Sequence, residues 1–142
     1  MKTGNHLMAT NSELIEEAVS VINPGQSGEF TIGNVGSALV TETGTIYRGV
    51  CIDTSSSMGF CAKHNTIGSM ITAGESRIYK FVAVYQDEQG DIYILSPCGR
   101  CREFMYQINS ENLETDVILD TDRVVLLKEF LPYHDCCKKI EP

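Results

Sequence analysis

No stretch of the 142-residue chain comes near the roughly 20 consecutive apolar residues that a membrane-spanning helix needs. Nor does the N-terminus, Met1-Lys2-Thr3-Gly4-Asn5-His6, lead into the apolar core of a secretory leader. Basic residues are scarce: 11 Lys and Arg against 19 Asp and Glu leave a net charge of −8. They are also scattered, and the densest pair, Lys138-Lys139, sits in the C-terminal tail. Phosphate backbones are held by clustered cations, so the charge pattern argues against DNA or RNA as a partner and favours a small neutral ligand. Internal repeats and low-complexity tracts are lacking as well. The expectation is a cytoplasmic protein with no membrane and no nucleic acid polymer among its partners.

What is present is ordinary for a globular chain, with 42% hydrophobic and 21% charged residues. The length fits a single domain over residues 1–142, with about 1–10 and 134–142 flexible or peripheral, and buries roughly two-thirds of its unfolded surface. Apolar residues at helical spacing predict a helix over residues 13–22, capped by Asn11 or Ser12 and ended by Pro24-Gly25. The Gly-rich residues 23–33 read as a loop. Residues 35–40 and 45–52 read as strands joined by Thr41-Glu42-Thr43-Gly44, a hairpin signal. A polar loop, 54–57, leads to a helix over 58–73 that Gly74 stops. Strand patterns follow at 78–86, 91–95, 116–119 and 123–127, with a helix opened by Pro97 between the second and third of these. This order predicts an α/β fold: a three-layer α/β/α sandwich around a mixed five-stranded sheet.

Six cysteines in a reducing compartment read as ligands or buried thiols before disulfides. Cys98 and Cys101, spaced as C-x-x-C after Pro97, fall in the first turn of a predicted helix and on one surface of it. Cys61, far upstream, falls near the start of the preceding helix. A helix N-terminus carries partial positive charge and favours the thiolate that zinc requires. Three protein ligands leave one coordination position open for water, the arrangement of catalytic zinc. Three buried thiols, or a closed structural zinc with a fourth ligand, remain the alternatives, and His64 is the spare donor. Cys51 reads as core; Cys136 and Cys137 read as exposed thiols or a contact with a neighbouring subunit.

Pro97-Cys98-Gly99-Arg100-Cys101-Arg102 and Phe60-Cys61-Ala62, with Val35-Gly36-Ser37-Ala38-Leu39 and Glu129-Phe130-Leu131-Pro132, make the chain resemble the small cytidine deaminases, including the blasticidin S deaminases. The likeness runs over nearly the whole length. It implies a cytidine deaminase-like fold, one Zn²⁺ per subunit on Cys61, Cys98 and Cys101, a homotetramer (or homodimer), and hydrolytic loss of ammonia from a cytosine ring. The departures from the family pattern gather at the pocket. The family's proton-shuttling Glu aligns with Lys63. Its ribose-binding Asn and Glu align with Cys51 and Asp53, and its aromatic residue before the strand is Gly33, for which Phe30 is the available substitute.

Proton transfer in this chemistry needs a base, and such zinc deaminases use a glutamate for it. Beside three thiolates an ammonium is favoured over a neutral amine, so Lys63 is expected to be charged and unable to accept a proton. It either neutralises the thiolate cluster or points outward, and Asp53 is the best replacement carboxylate. The leading expectation is zinc-dependent hydrolytic deamination of cytidine, deoxycytidine or a related cytosine nucleoside. The alternative is a catalytically impaired zinc-binding pseudoenzyme that holds a nucleoside-like ligand without turnover.

Overall fold

The computed structural model describes residues 8–27, 30–135 and 137–142. Residues 1–7 of the expected peripheral segment, and Cys136, lie outside the described residues. The chain runs α1 (Asn11–Ser20), β1 (Gly25–Ser27), β2 (Phe30–Thr41), β3 (Ile46–Ile52), α2 (Ala62–Thr72), β4 (Ile78–Gln86), β5 (Ile92–Ile94), α3 (Gly99–Ile108), β6 (Asp116–Asp120) and β7 (Arg123–Leu126). Short 3-10 turns cover Ser110–Glu114 and Leu127–Phe130.

Among the described residues, five of the six expected strands form the continuous order β3-β2-β4-β6-β7, parallel only between β4 and β6, and the sixth, expected over 91–95, is the short β5, which pairs with β4. Two three-residue strands bring the sheet to seven. One of them, β1, lies in the stretch expected to be a loop and pairs with an N-terminal extension of β2 that starts at Phe30 rather than Val35. A hydrophobic pattern does not reveal so short a pairing in a Gly-rich segment, because the tertiary partner, not propensity, fixes it.

Alternation along the strands splits the core into two layers. Ala38, Val40, Val82, Val84 and Ile118 meet Leu14 and Ala18 of α1 on one face. Leu39, Phe81 and Val117 meet Ile67 and Met70 of α2 and Met105 of α3 on the other. A strand buried on both faces reads as a near-continuous apolar run, as Phe81-Val82-Ala83-Val84 does. Met8 packs against the first layer and Ala9 is part of it.

Helix starts differ from expectation for identifiable reasons. Thr10, not Asn11 or Ser12, caps α1, because Glu13 stands three residues later and completes a reciprocal capping box. α2 begins at Ala62 rather than Met58. Residues leading into it are held extended by a two-way backbone bridge between Ile52 and Phe60, at 3.0 and 2.9 Å. Gly59 lets that bridge close, since a Cβ there would collide with the Ile52 carbonyl. The bridge ties the start of α2 to the end of β3 and so fixes Cys61.

Candidate metal centre and adjoining cavity

Cys61 and Cys98 are the N-caps of α2 and α3, and Cys101 lies in the first turn of α3. Two helix N-termini therefore converge on one group of sulfurs. Cys61 Sγ is 3.4 Å from Cys101 Sγ, and Cys98 Sγ is 3.5 Å from Cys101 Sγ. His64 Nδ1 approaches Cys61 Sγ at 2.8 Å and Cys101 Sγ at 3.6 Å. The imidazole lies flat on Phe104, with ring centroids 4.4 Å apart and planes 1° from parallel, so its direction is set by packing.

Electrostatics favour a thiolate here. The Cys61 thiol is lowered to about 4: a hydrogen bond from the Cys101 thiol dominates, burial opposes it, and the His64 backbone and side chain add to it. Cys101 is pushed far up, first by that same hydrogen bond and then by burial. Without a metal, one proton is thus shared asymmetrically between the two sulfurs. Cys98 is also lowered; burial works against this, but the Cys101 and Arg100 backbone amides, the Cys101 thiol and the Lys63 charge outweigh it.

The donor set fits zinc. Cys61, His64 and Cys101 bring ligand atoms within 4.8 Å of one another, whereas Cys98 of the expected ligand set is not part of that compact group and stands 3.5 Å from Cys101 Sγ. Zn–S and Zn–N bonds of about 2.3 and 2.0–2.1 Å set tetrahedral ligand separations of about 3.8 Å between sulfurs and about 3.5 Å between sulfur and nitrogen. The two sulfur–sulfur distances lie close to the first of these. The 2.8 Å contact between His64 and Cys61 is much shorter than the second and is a hydrogen-bonding contact. Soft thiolates with imidazole nearby select zinc over hard cations. One Zn²⁺ per chain fits this centre.

Beside the cluster opens a cavity of about 380 Å³. Cys61, Lys63 and Arg100 line it from the starts of α2 and α3, Asn34 and Cys51 from β2 and β3, and Asp53 from just past the end of β3. Lys63 is only 7% exposed, so it does not point outward: it lines the cavity and its charge acts on Cys98. Asp53 is the one carboxylate on the cavity wall among the described residues. Phe30 opens β2 opposite Ser27 and is not among the residues lining the cavity. Nor can an aromatic residue stand at position 33. Gly33 has φ of +78°, and a Cβ there would strike the Asn23 carbonyl.

Two residues of the cavity wall, Asn34 and Arg100, were not singled out from sequence, and His64 was named there only as a spare metal donor. Asn34 and Arg100 carried no signal beyond their position in the motifs. His64 carried one, since it follows Cys61 by three residues on a helix and must share its surface.

The architecture and the sulfur cluster define a zinc-site α/β domain, and the comparisons specify which. Residues 8–115 match the family described as the cytidine and deoxycytidylate deaminase zinc-binding region, and the chain belongs to that family. A cytidine deaminase from Sporosarcina psychrophila is 41% identical over 70 residues, which are 49% of this chain and 48% of the relative. The chain thus spans about half the length of that curated relative. Among solved structures, the cytidine deaminase from Burkholderia pseudomallei superposes with a TM-score of 0.69 at 25% identity, covering 88% of this chain and 98% of that one. The Mycobacterium leprae cytidine deaminase gives 0.66 at 25% identity, covering 85% and 96%.

Proposed function

We propose that the chain, as one domain, catalyses zinc-dependent hydrolytic deamination of cytidine, deoxycytidine or a related cytosine nucleoside. The observation that carries this reading is the convergence of Cys61, Cys98 and Cys101 from two helix starts at the edge of a nucleoside-sized cavity. A zinc ion on these residues supplies a Lewis acid and lowers the pKa of coordinated water towards neutrality.

The protein's own groups divide the remaining work. Cys61, Cys98 and Cys101 are the metal ligands. His64 supports them by donating from Nδ1 to Cys61 Sγ, the role favoured by their 2.8 Å contact. Lys63 lines the cavity beside the sulfurs and as an ammonium offsets the thiolate charge; an ammonium has no lone pair with which to take a proton. Asp53 accepts hydroxyl groups of the substrate and is the carboxylate available to carry a proton. Leu95 and Phe60 wall the cavity and limit water. The reading includes a homotetramer or homodimer, supported by Met58 at 70% and Phe60 at 40% exposure near the cavity. It also includes the cytoplasm, where thiols stay reduced and free to bind metal.

The test is ammonia release by the zinc-loaded protein from cytidine, deoxycytidine and blasticidin S. Release that disappears in Cys98→Ala supports the reading. No ammonia from any of the three contradicts it and leaves a zinc-binding protein without turnover.

A further inference from the structure

The register between β2 and β3 slips between Ile32 and Gly36. Ile32 pairs with Ile52 and Gly36 with Val50, so three residues, Gly33, Asn34 and Val35, face one, Cys51. Such bulges re-aim side chains. This one is locked from behind: Asn23 N–H donates to the Gly33 carbonyl at 2.9 Å, and the positive φ of Gly33 turns the chain at that point.

The bulge places Asn34 on the wall of the cavity that Asp53 also lines. There the Cys51 thiol, 4% exposed, donates to Asn34 Oδ1 at 3.1 Å. Because a thiol is the donor, the acceptor is the amide oxygen, and among the described residues the Nδ2 group has no hydrogen-bond acceptor of its own. An amide donor on β2 and a carboxylate acceptor just past the end of β3 line the same cavity and form a matched pair for hydroxyl groups, each of which both donates and accepts.

We propose that Asn34 is a substrate-binding residue whose Nδ2 donates to a hydroxyl of the substrate's sugar, and that Cys51 is a positioning residue that fixes the amide through Oδ1. The inference rests on the nucleoside reading above and deepens it. It assigns recognition of the hydroxyl-bearing half of the ligand to Asn34, while Cys51 acts only through it.

The experiment is calorimetric titration of the zinc-loaded protein with uridine and with uracil, the nucleoside and base forms of the product, which are not consumed. The parent binds uridine more tightly than uracil. Asn34→Ala and Asn34→Asp weaken uridine by about tenfold, the scale of one lost hydrogen bond, and leave uracil unchanged. Cys51→Ala weakens uridine in the same direction, and Cys51→Ser, which restores a donor, recovers it. Equal loss for uridine and uracil, unchanged uridine binding in both Asn34 variants, or a parent that prefers uracil overturns the inference. Ammonia release from cytidine by the same parent preparation then shows whether the functional reading survives without it. A parent that binds neither ligand overturns the inference, and one that also releases no ammonia overturns the functional reading with it.

Discussion

His64 Nδ1 stands 2.8 Å from Cys61 Sγ, closer than two ligands of a single zinc ion can sit. On the proposed ligand set of Cys61, Cys98 and Cys101, the imidazole supports a ligand rather than acting as one. His64→Ala should lower zinc affinity by about 10- to 100-fold, the usual effect of removing a supporting hydrogen bond, while still binding one ion at saturation. Cys98→Ala should lower it far more. Competition with a zinc chelator measures both. The reverse ranking would make His64 the third ligand.

Metal removal should expose the unequal ionisation of the sulfurs. Cys61 is lowered to about 4, with Cys98 also lowered and Cys101 raised. At about pH 6 an ordinary thiol is almost wholly protonated. In the metal-stripped protein at that pH, Cys61 and Cys98 should be alkylated by iodoacetamide well before Cys101, as peptide mapping would show. Uniform slow labelling of all three would contradict the arrangement.

The turn between β2 and β3 contains a second readable device. Glu75 accepts hydrogen bonds from Thr43 Oγ1 at 2.6 Å and Tyr47 Oη at 2.8 Å, and these hold its carboxyl below the ordinary range, with Thr43 the largest contributor. A carboxyl lowered on folding stabilises the protein above its unfolded value. That stabilisation is lost as pH falls through the folded value. Between about pH 5 and about pH 3, where carboxylates take up protons, the parent's melting temperature should fall more steeply than that of Glu75→Gln. Parallel curves would remove Glu75 from the account.

Most of the scaffold was legible because local signals agreed. The α1 periodicity, the strand runs around Leu39 and Phe81, and the Pro97-to-Cys101 helix start each specify one local structure. The edges were less so. Glu75 reads as a solvated acid after a helix, and only the hairpin brings Thr43 and Tyr47 to it. Lys63 reads equally as a surface residue. Its burial depends on where the Ile52–Phe60 bridge places the first turn of α2, a long-range contact with no local signature. Asn34 is illegible for a related reason: in regular pairing its side chain would alternate with its neighbours, and the bulge alone re-aims it.

The direct test of the central claim is Lys63→Glu assayed beside the parent for ammonia release from cytidine, both loaded with zinc. Lys63 lines the cavity next to the sulfur cluster, where a carboxylate could carry the protons that an ammonium cannot. General acid–base help is typically worth about 10²–10⁴-fold in rate, so the variant should turn over cytidine faster than the parent, by at most that factor because Asp53 supplies part of the help in the parent. A variant that binds zinc normally yet gains no turnover would contradict the account.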